Sequence, residues 1–194
     1  MGDHFRSVEL FESSNSKRAR KEECQKILLG HSGRCFDVRS KLGCILSASE
    51  GGLNLFFNLL QIIDGTSKLW SISSTGGYSC ISTFNHCRSA EVLRSCFLFQ
   101  KDSSSIVCTA GSDGNIIVWK RSENDETTHN FSKLCTVRHA EKSQIYTCEP
   151  LVQNDISASD RFFSAADDSK LYIWDLNQLS SPLEWYHYIC ILIY

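Results

Sequence analysis

The sequence of 194 residues is poor in proline and has no excess of charge of either sign. Two prolines are too few for a collagen-like or proline-rich chain. Lys and Arg number 20 and Asp and Glu number 22, so the net charge is −2. This balance gives no general electrostatic reason to bind nucleic acid or an anionic membrane. We therefore expect no direct nucleic-acid partner.

Long apolar runs are also missing from the sequence. Two apolar runs have no charged residue, at residues 51–63 and 185–194. Both are shorter than the ~17–25 residues that a membrane-spanning helix needs. The N-terminal region carries no apolar core of a secretory signal. We therefore expect a soluble protein without a membrane partner, located in the cytoplasm or the nucleus.

The ten cysteines include no Cys-x-x-Cys pair, which argues against a zinc site or a disulfide framework. The nearest metal-like group, Cys80, His86 and Cys87, lacks the paired spacing of zinc ligands. We predict reduced thiols that act as small apolar core residues, with no metal and no cofactor. The cysteines in apolar strand-like runs are Cys35, Cys44, Cys80, Cys96, Cys108, Cys135 and Cys148.

The distribution of apolar residues divides the chain into a tail and an all-β region. Residues 1–22 have no apolar period, which predicts a disordered N-terminal tail. Its basic run from Lys17 to Lys21 is a candidate nuclear import signal, with a solvated charge cluster as the equal alternative. From residue 23, short apolar runs between Ser, Gly, Asp and Asn predict β-strands.

Three segments of this region align when each is anchored on a tryptophan. Residues 109–119 align with 164–174, and both copies have an Asp six residues before the final Trp. In the third copy, residues 47–50 supply the front half and 64–70 the back half. Removing the intervening residues 51–63 restores the register, so these residues are predicted to be an insertion.

A histidine precedes each copy, and this pattern resembles the WD-repeat family of β-propellers over about residues 23–178. In that family each blade is a four-stranded antiparallel sheet, tied by a hydrogen-bonded chain of His, Asp, Ser or Thr, and Trp. The family's Gly before the His is present only at Gly30, and its Asp after the Trp only at Asp175. The resemblance implies three structural sets: His31, Ser47, Asp64 and Trp70; His86, Thr109, Asp113 and Trp119; and His139, Ser164, Asp168 and Trp174.

The expected fold is therefore an incomplete WD-repeat propeller of about three four-stranded blades. A seven-bladed ring would need about 300 residues at ~40–45 per repeat. The third blade shows no clear outer strand, and residues 179–194 are expected to be an apolar C-terminal tail. The predicted strands are 24–29 from a preceding blade; 34–39, 43–48, 66–72 and 78–84; 92–99, 105–110, 115–120 and 133–137; and 144–149, 161–166 and 170–175.

The insertion at residues 51–63 has eight Leu, Ile or Phe among thirteen residues, an unusual composition for a solvated loop. Our hypothesis is that this segment and the final residues 185–194 derive from translated non-coding sequence. The alternative is a family-specific binding loop together with a genuine edge strand.

The resemblance implies a non-enzymatic scaffold or adaptor that binds protein or peptide partners through its loops. The alternative is a truncated or mis-spliced, non-functional product of a longer WD-repeat protein. The candidate partner-binding face lies beside the repeat histidines, where ordinary solvated charge is the competing interpretation. Its members are Arg88, Arg138, Glu141 and Lys142.

Histidine, serine and aspartate together also form the acyl-transfer triad of hydrolases. In this chain each such set recurs once per repeat and always with a Trp, as a structural motif does and a single active site does not. We therefore predict no catalytic residues and no enzymatic activity.

Overall fold

The computed structural model describes residues 7–11, 24–41, 43–49, 51–56, 59–73, 77–86, 90–101, 104–122, 130–139, 143–151, 160–179 and 184–187. Within these ranges the chain forms sixteen strands and no helix. The described residues therefore contain no helix that could cross a membrane. The strands are β1 Ser7–Phe11, β2 Cys24–Leu29, β3 Cys35–Lys41, β4 Cys44–Ser49, β5 Gly51–Phe56, β6 Leu59–Asp64, β7 Thr66–Ile72, β8 Tyr78–Asn85, β9 Val92–Lys101, β10 Ser104–Gly111, β11 Asn115–Arg121, β12 Phe131–Arg138, β13 Ile145–Pro150, β14 Arg161–Ala166, β15 Lys170–Asp175 and β16 Glu184–His187.

Twelve of these strands form three antiparallel sheets of four strands, which we call blades 1, 2 and 3. Their strand orders are β3-β4-β7-β8, β9-β10-β11-β12 and β13-β14-β15-β16. Strand β9 contacts both β3 and β13, so blade 2 lies between the other two. The predicted all-β propeller architecture with about three four-stranded blades is confirmed.

Position within a blade determines how each strand is buried. The second strand of blade 1, β4, is buried at five successive positions: Leu46 packs in one cluster with Phe97 of blade 2, and Ile45 in another with Leu28 of β2. The outer strand β12 is mostly exposed, and Val137 is its one buried position. The sequence reflects this difference, since β4 has no charged side chain whereas β12 carries Lys133 and Arg138.

The blades pack face to face through two apolar clusters. Between blades 1 and 2, Phe84 packs against Trp119 with ring centroids 5.5 Å apart. Between blades 2 and 3, buried Leu98 and Val118 join Phe162 in one cluster. On the far face of blade 1, Phe36 and Val38 are each 44% exposed, and the described blades form an arc that does not close into a ring.

The expected disordered tail over residues 1–22 does not hold at Ser7–Phe11, where β1 pairs with β2 from Ser7↔Leu29 to Phe11↔Cys24. Val8 and Leu10 alternate with Glu9, a strand pattern too short to stand out in a polar segment. Pairing supplies backbone partners to one edge of β2. The basic run from Lys17 to Lys21 lies outside the described residues, and nuclear import stays a prediction.

The third blade has the outer strand that the sequence did not reveal. Residues Glu184–His187 form β16, which pairs with β15 from Lys170↔His187 to Ile173↔Glu184. The expected apolar tail over 179–194 therefore does not hold at these four positions. Aromatic Trp185 and Tyr186 favour a strand, but the WD motif ends at its Trp and gave no register for the residues after it.

The insertion in blade 1 forms a hairpin of its own. Strand β5 pairs with β6 from Gly51↔Asp64 to Phe56↔Leu59, and β4 still pairs with β7 at Ala48↔Ser67. The extra residues therefore extend a turn between two blade strands without shifting their register. The proposed non-coding origin and the truncated-product alternative both stay predictions.

Equivalent turns in blades 2 and 3 reach the left-handed backbone region with different residues. Gly114 has φ 75° and Ser169 has φ 61°. A serine at such an angle brings its Cβ close to the following carbonyl oxygen, which costs roughly 1–2 kcal/mol. Glycine avoids this contact but loses more backbone entropy on folding, so the two effects partly offset.

We expect Ser169→Gly to raise the free energy of unfolding by about 0.5–1 kcal/mol, because relief of the steric contact exceeds the entropy lost. Urea denaturation of the whole chain, followed by far-UV circular dichroism, measures the change. Ser132→Gly in exposed β12 is the matched control and should lower stability by a similar amount. Equal destabilisation by both substitutions would contradict the assigned strain.

Candidate functional site

The predicted set in blade 2 assembles at the edge where β8 ends and β10 turns into β11. The indole Nε1–H of Trp119 donates to Thr109 Oγ1 at 3.1 Å. The same hydroxyl lies 2.9 Å from His86 Nδ1, and His86 Nε2 lies 3.1 Å from Asp113 Oδ1. Thr109 is fully buried and His86 is 8% exposed, whereas the Asp113 side chain is 26% exposed, so the set runs from the interior towards the surface.

Hydrogen-bond chemistry fixes the direction of this chain. An indole nitrogen can only donate, so the Thr109 oxygen accepts from Trp119 and is free to donate its own proton to His86 Nδ1. The Asp113 carboxylate can only accept, so the imidazole carries a proton on Nε2 and donates it to that carboxylate. Every polar atom of the set therefore has a role that suits its chemistry.

The set in blade 3 repeats this geometry on different strands. Trp174 Nε1–H donates to Ser164 Oγ at 2.8 Å, and Ser164 Oγ lies 2.7 Å from His139 Nδ1. His139 Nε2 lies 3.2 Å from Asp168 Oδ1. A serine replaces the threonine of blade 2 without loss of either bond, so the hydroxyl rather than the methyl group carries the arrangement.

The first set differs at its acidic end. Trp70 Nε1–H donates to Ser47 Oγ at 2.9 Å, but the imidazole contact comes from His31 Nε2, at 2.8 Å. The side chain of Asp64 lies outside the described part of the chain. Gly30 precedes the histidine here because a Cβ at that position would lie 2.9 Å from Trp70 Cη2.

Burial and hydrogen bonding act in opposite directions on the ionisable groups of these sets. Burial alone would raise the pKa of Asp113, but hydrogen bonds from His86 and Asn115 outweigh it and lower the pKa to about 2. Burial lowers the pKa of His139 below its ordinary value, although the neighbouring Asp168 carboxylate acts to raise it. The shift of Asp113 favours its ionised carboxylate, and the shift of His139 favours its neutral imidazole.

A second polar arrangement, missed by the sequence analysis, links the innermost strands of all three blades. Asp37 on β3 accepts a hydrogen bond from Arg94 Nη1 on β9 at 2.8 Å. Arg94 Nε in turn donates to the carbonyl oxygen of Tyr146 on β13 at 2.7 Å. Arg39 pairs with both Asp37 and Glu149. A charged residue in each inner strand was the available signal, but its partners are 57 and 110 residues away.

The predicted partner-binding face is described only at Arg138. Its exposed guanidinium lies at the turn between β10 and β11, with Nε 3.4 Å from Asn115 Oδ1. Arg88, Glu141 and Lys142 lie outside the described residues, so their expected place on this face stays a prediction.

Cysteines provide the group of described residues that could hold a soft metal ion. The thiol sulfurs of Cys96, Cys108 and Cys148 all lie within 4.8 Å of one another, and all three are buried. They lie in the core as the sequence analysis expected. Cys80 is exposed, contrary to that expectation, because it faces outward on the outer strand β8.

Comparison with known proteins gives a family match and similarities to solved structures. Residues 78–120 match the WD domain, G-beta repeat, and this range runs from β8 through most of β11. No curated protein matches. The fold is similar to that of Sqt1 from Saccharomyces cerevisiae, with TM-score 0.61 and 9% identity over 87% of this chain and 42% of that chain. The chain therefore spans less than half of Sqt1.

We expect Thr109→Val to lower the free energy of unfolding by about 2–3 kcal/mol, because it leaves the Trp119 indole and the His86 imidazole without their shared partner. Thr109→Ser keeps the hydroxyl and should cost about 1 kcal/mol or less, since only a methyl group is lost. Urea unfolding followed by tryptophan fluorescence measures both. Equal losses in the two variants would show that the hydroxyl does not carry the set.

Acid should weaken blade 2 through Asp113. Its pKa is about 2 in the folded chain and about 3.9 when unfolded, so its stabilisation is complete above pH 4 and is lost as pH falls through 2. Asp113→Asn should therefore lower stability at pH 7 by on the order of 2 kcal/mol and match the wild type near pH 2. Urea midpoints of both proteins from pH 7 to pH 2 test this. A stability difference that stays constant over the range would contradict it.

Proposed function

We propose that this chain, a WD-repeat β-propeller protein by its repeat match and its fold, is a non-enzymatic scaffold that binds protein or peptide partners. The binding face in this proposal is the blade edge that carries the repeat histidines and the turns after β10 and β14. The observation that carries the proposal is that paired hydrogen bonds hold this edge in the same way in blades 2 and 3.

Paired hydrogen bonds support each turn from the strand at its side. In blade 2, the Ser112 backbone N–H donates to the carbonyl oxygen of Glu91 at 3.0 Å, and Ser112 Oγ accepts from the Glu91 N–H at 3.0 Å. In blade 3, Asp167 and Gln144 repeat this exchange with distances of 3.1 and 3.0 Å. A turn held by two hydrogen bonds at its first residues loses little conformational entropy on binding.

The edge is also continuous from one blade to the next. His139 follows the last strand of blade 2, and its backbone N–H donates to the Gly114 carbonyl oxygen at 2.9 Å. This bond holds the backbone next to Arg138 against the β10–β11 turn, and the exposed Arg138 side chain lies 3.4 Å from Asn115 Oδ1. A fixed and exposed guanidinium suits recognition of a carboxylate on a partner.

The buried sets are unsuitable for catalysis, which favours the non-enzymatic proposal. Thr109 and Ser164 are completely buried, so neither hydroxyl can meet a substrate. Each hydroxyl already accepts from an indole, and each imidazole already contacts both a hydroxyl and a carboxylate. A nucleophile needs a free path to the reacting carbon, and these groups have none.

The proposal is tested by measuring partner binding after the charge at this edge has been reversed. Partners captured by the wild-type chain are purified, and their affinity for Arg138→Glu is measured by calorimetry. We expect a loss of at least about fivefold, as for an exposed charge at an interface. Lys41→Glu, at the opposite end of blade 1 in the β3–β4 turn, carries the same charge change and should bind as the wild type does.

Circular dichroism and the urea midpoint should be unchanged in both variants, because both side chains are exposed. Unchanged affinity in Arg138→Glu, or an equal loss in Lys41→Glu, would refute binding at this edge.

A further inference from the structure

Three buried thiols meet at the interface between blades 2 and 3. Cys108 Sγ lies 3.1 Å from Cys148 Sγ and 3.3 Å from Cys96 Sγ. Cys96 and Cys108 are directly opposed on β9 and β10, whereas Cys148 comes from β13 of blade 3. We infer that Cys108 and Cys148 are a modification site, at which hydrogen peroxide forms a disulfide that joins blade 2 to blade 3.

The geometry favours the link between blades over the link within blade 2. A disulfide needs its sulfurs about 2.05 Å apart, so either pair must close by roughly 1 Å. The backbone ladder of β9 and β10 fixes the separation of Cys96 and Cys108. Blades 2 and 3 meet through side chains at this interface, so a small rigid movement of one sheet brings Cys148 to Cys108.

The charge of the site favours a disulfide over a metal ion. All three thiols are buried, and a hydrogen bond with Cys108 raises the pKa of Cys96 well above its ordinary value, with burial acting in the same direction. A mono- or divalent ion held by three thiolates would leave a net negative charge among fully buried side chains. A disulfide is neutral.

The reaction balances with one equivalent of peroxide. The Cys108 sulfur attacks one peroxide oxygen, the O–O bond breaks, and water leaves while Cys108 becomes a sulfenic acid. The Cys148 sulfur then attacks the Cys108 sulfur, and a second water leaves with the remaining thiol proton. Two thiols are oxidised by two electrons, and one hydrogen peroxide is reduced to two waters.

Burial makes the reaction depend on opening of the interface. Desolvation raises the pKa of Cys108 well above its ordinary value, so little thiolate is present while the blades are packed. Opening of the interface admits water and peroxide together. We therefore expect oxidation to be slow in buffer and faster in urea below the unfolding midpoint.

Trypsin separates the three cysteines, which makes the link directly measurable. Cleavage after Lys and Arg leaves Cys96 in peptide 95–101, Cys108 in 102–120 and Cys148 in 143–161, each with no other cysteine. The reduced full chain is treated with one equivalent of peroxide, alkylated in denaturant, digested without reduction and analysed by mass spectrometry. The expected product is 102–120 joined to 143–161, lighter by the two thiol hydrogens.

Variants with one thiol removed give the control. Cys148→Ala should abolish the linked peptide pair, whereas Cys80→Ala removes an exposed thiol and should leave its yield unchanged. In the wild type, the oxidised chain should also have a higher urea midpoint than the same sample after reduction. This comparison needs no variant and holds whether or not Cys148→Ala folds.

Three results would overturn the inference. One is a dominant link between 95–101 and 102–120, and another is Cys108 left unlinked after oxidation in urea. The third is a metal ion that copurifies with the chain and is released by alkylation of these thiols. Binding of partners at the Arg138 edge is measured separately, so failure of either proposal leaves the other standing.

Discussion

One buried hydroxyl per blade connects two paired strands to a histidine that the backbone ladder does not join to them. In blade 2 the Thr109 oxygen accepts from Trp119 on β11 and contacts His86 at the end of β8. Three of the four residues of the set therefore meet at one oxygen atom inside the protein. A low-dielectric interior strengthens such a network when every member is satisfied and penalises it when one is lost. This constraint explains why the same residue types return at the same spacing.

The inner strands show a complementary solution at the centre of the arc. Asp37 is 7% exposed, and an unpaired carboxylate at that burial would be costly. Arg94 from blade 2 and Arg39 from its own strand supply the compensating charge. Because Arg39 also reaches Glu149 in blade 3, the charges tie three separate sheets together. The apolar clusters stabilise the packing of the blades, and this polar network restricts the movement of one blade relative to the next.

The sequence predicted what repeats and missed what does not. Every blade strand except β16 was predicted from the repeat, since a fixed offset along the chain becomes a fixed register in each sheet. Strands β1 and β16 lie outside the motif, and their pairing depends on which strand edges remain open in the fold. The pairing of Asp37 with Arg94 could not be predicted from the sequence either, because residues that contact each other between blades have no fixed separation along the chain. The cysteine cluster was missed for the same reason, although the burial of its members was expected.

Comparison of the blades shows which part of the set the sheet requires. Blade 1 replaces the tight turn after its second strand with the β5–β6 hairpin, and His31 presents Nε2 rather than Nδ1 to its hydroxyl. The Trp70 to Ser47 bond nevertheless has a length of 2.9 Å, close to the 2.8 Å of blade 3. The β4–β7 register is also intact. The indole-to-hydroxyl bond therefore tolerates a different ring nitrogen and a remodelled turn. The carboxylate, by contrast, orients the turn, as its bonds to the backbone N–H of Asn115 and Lys170 show.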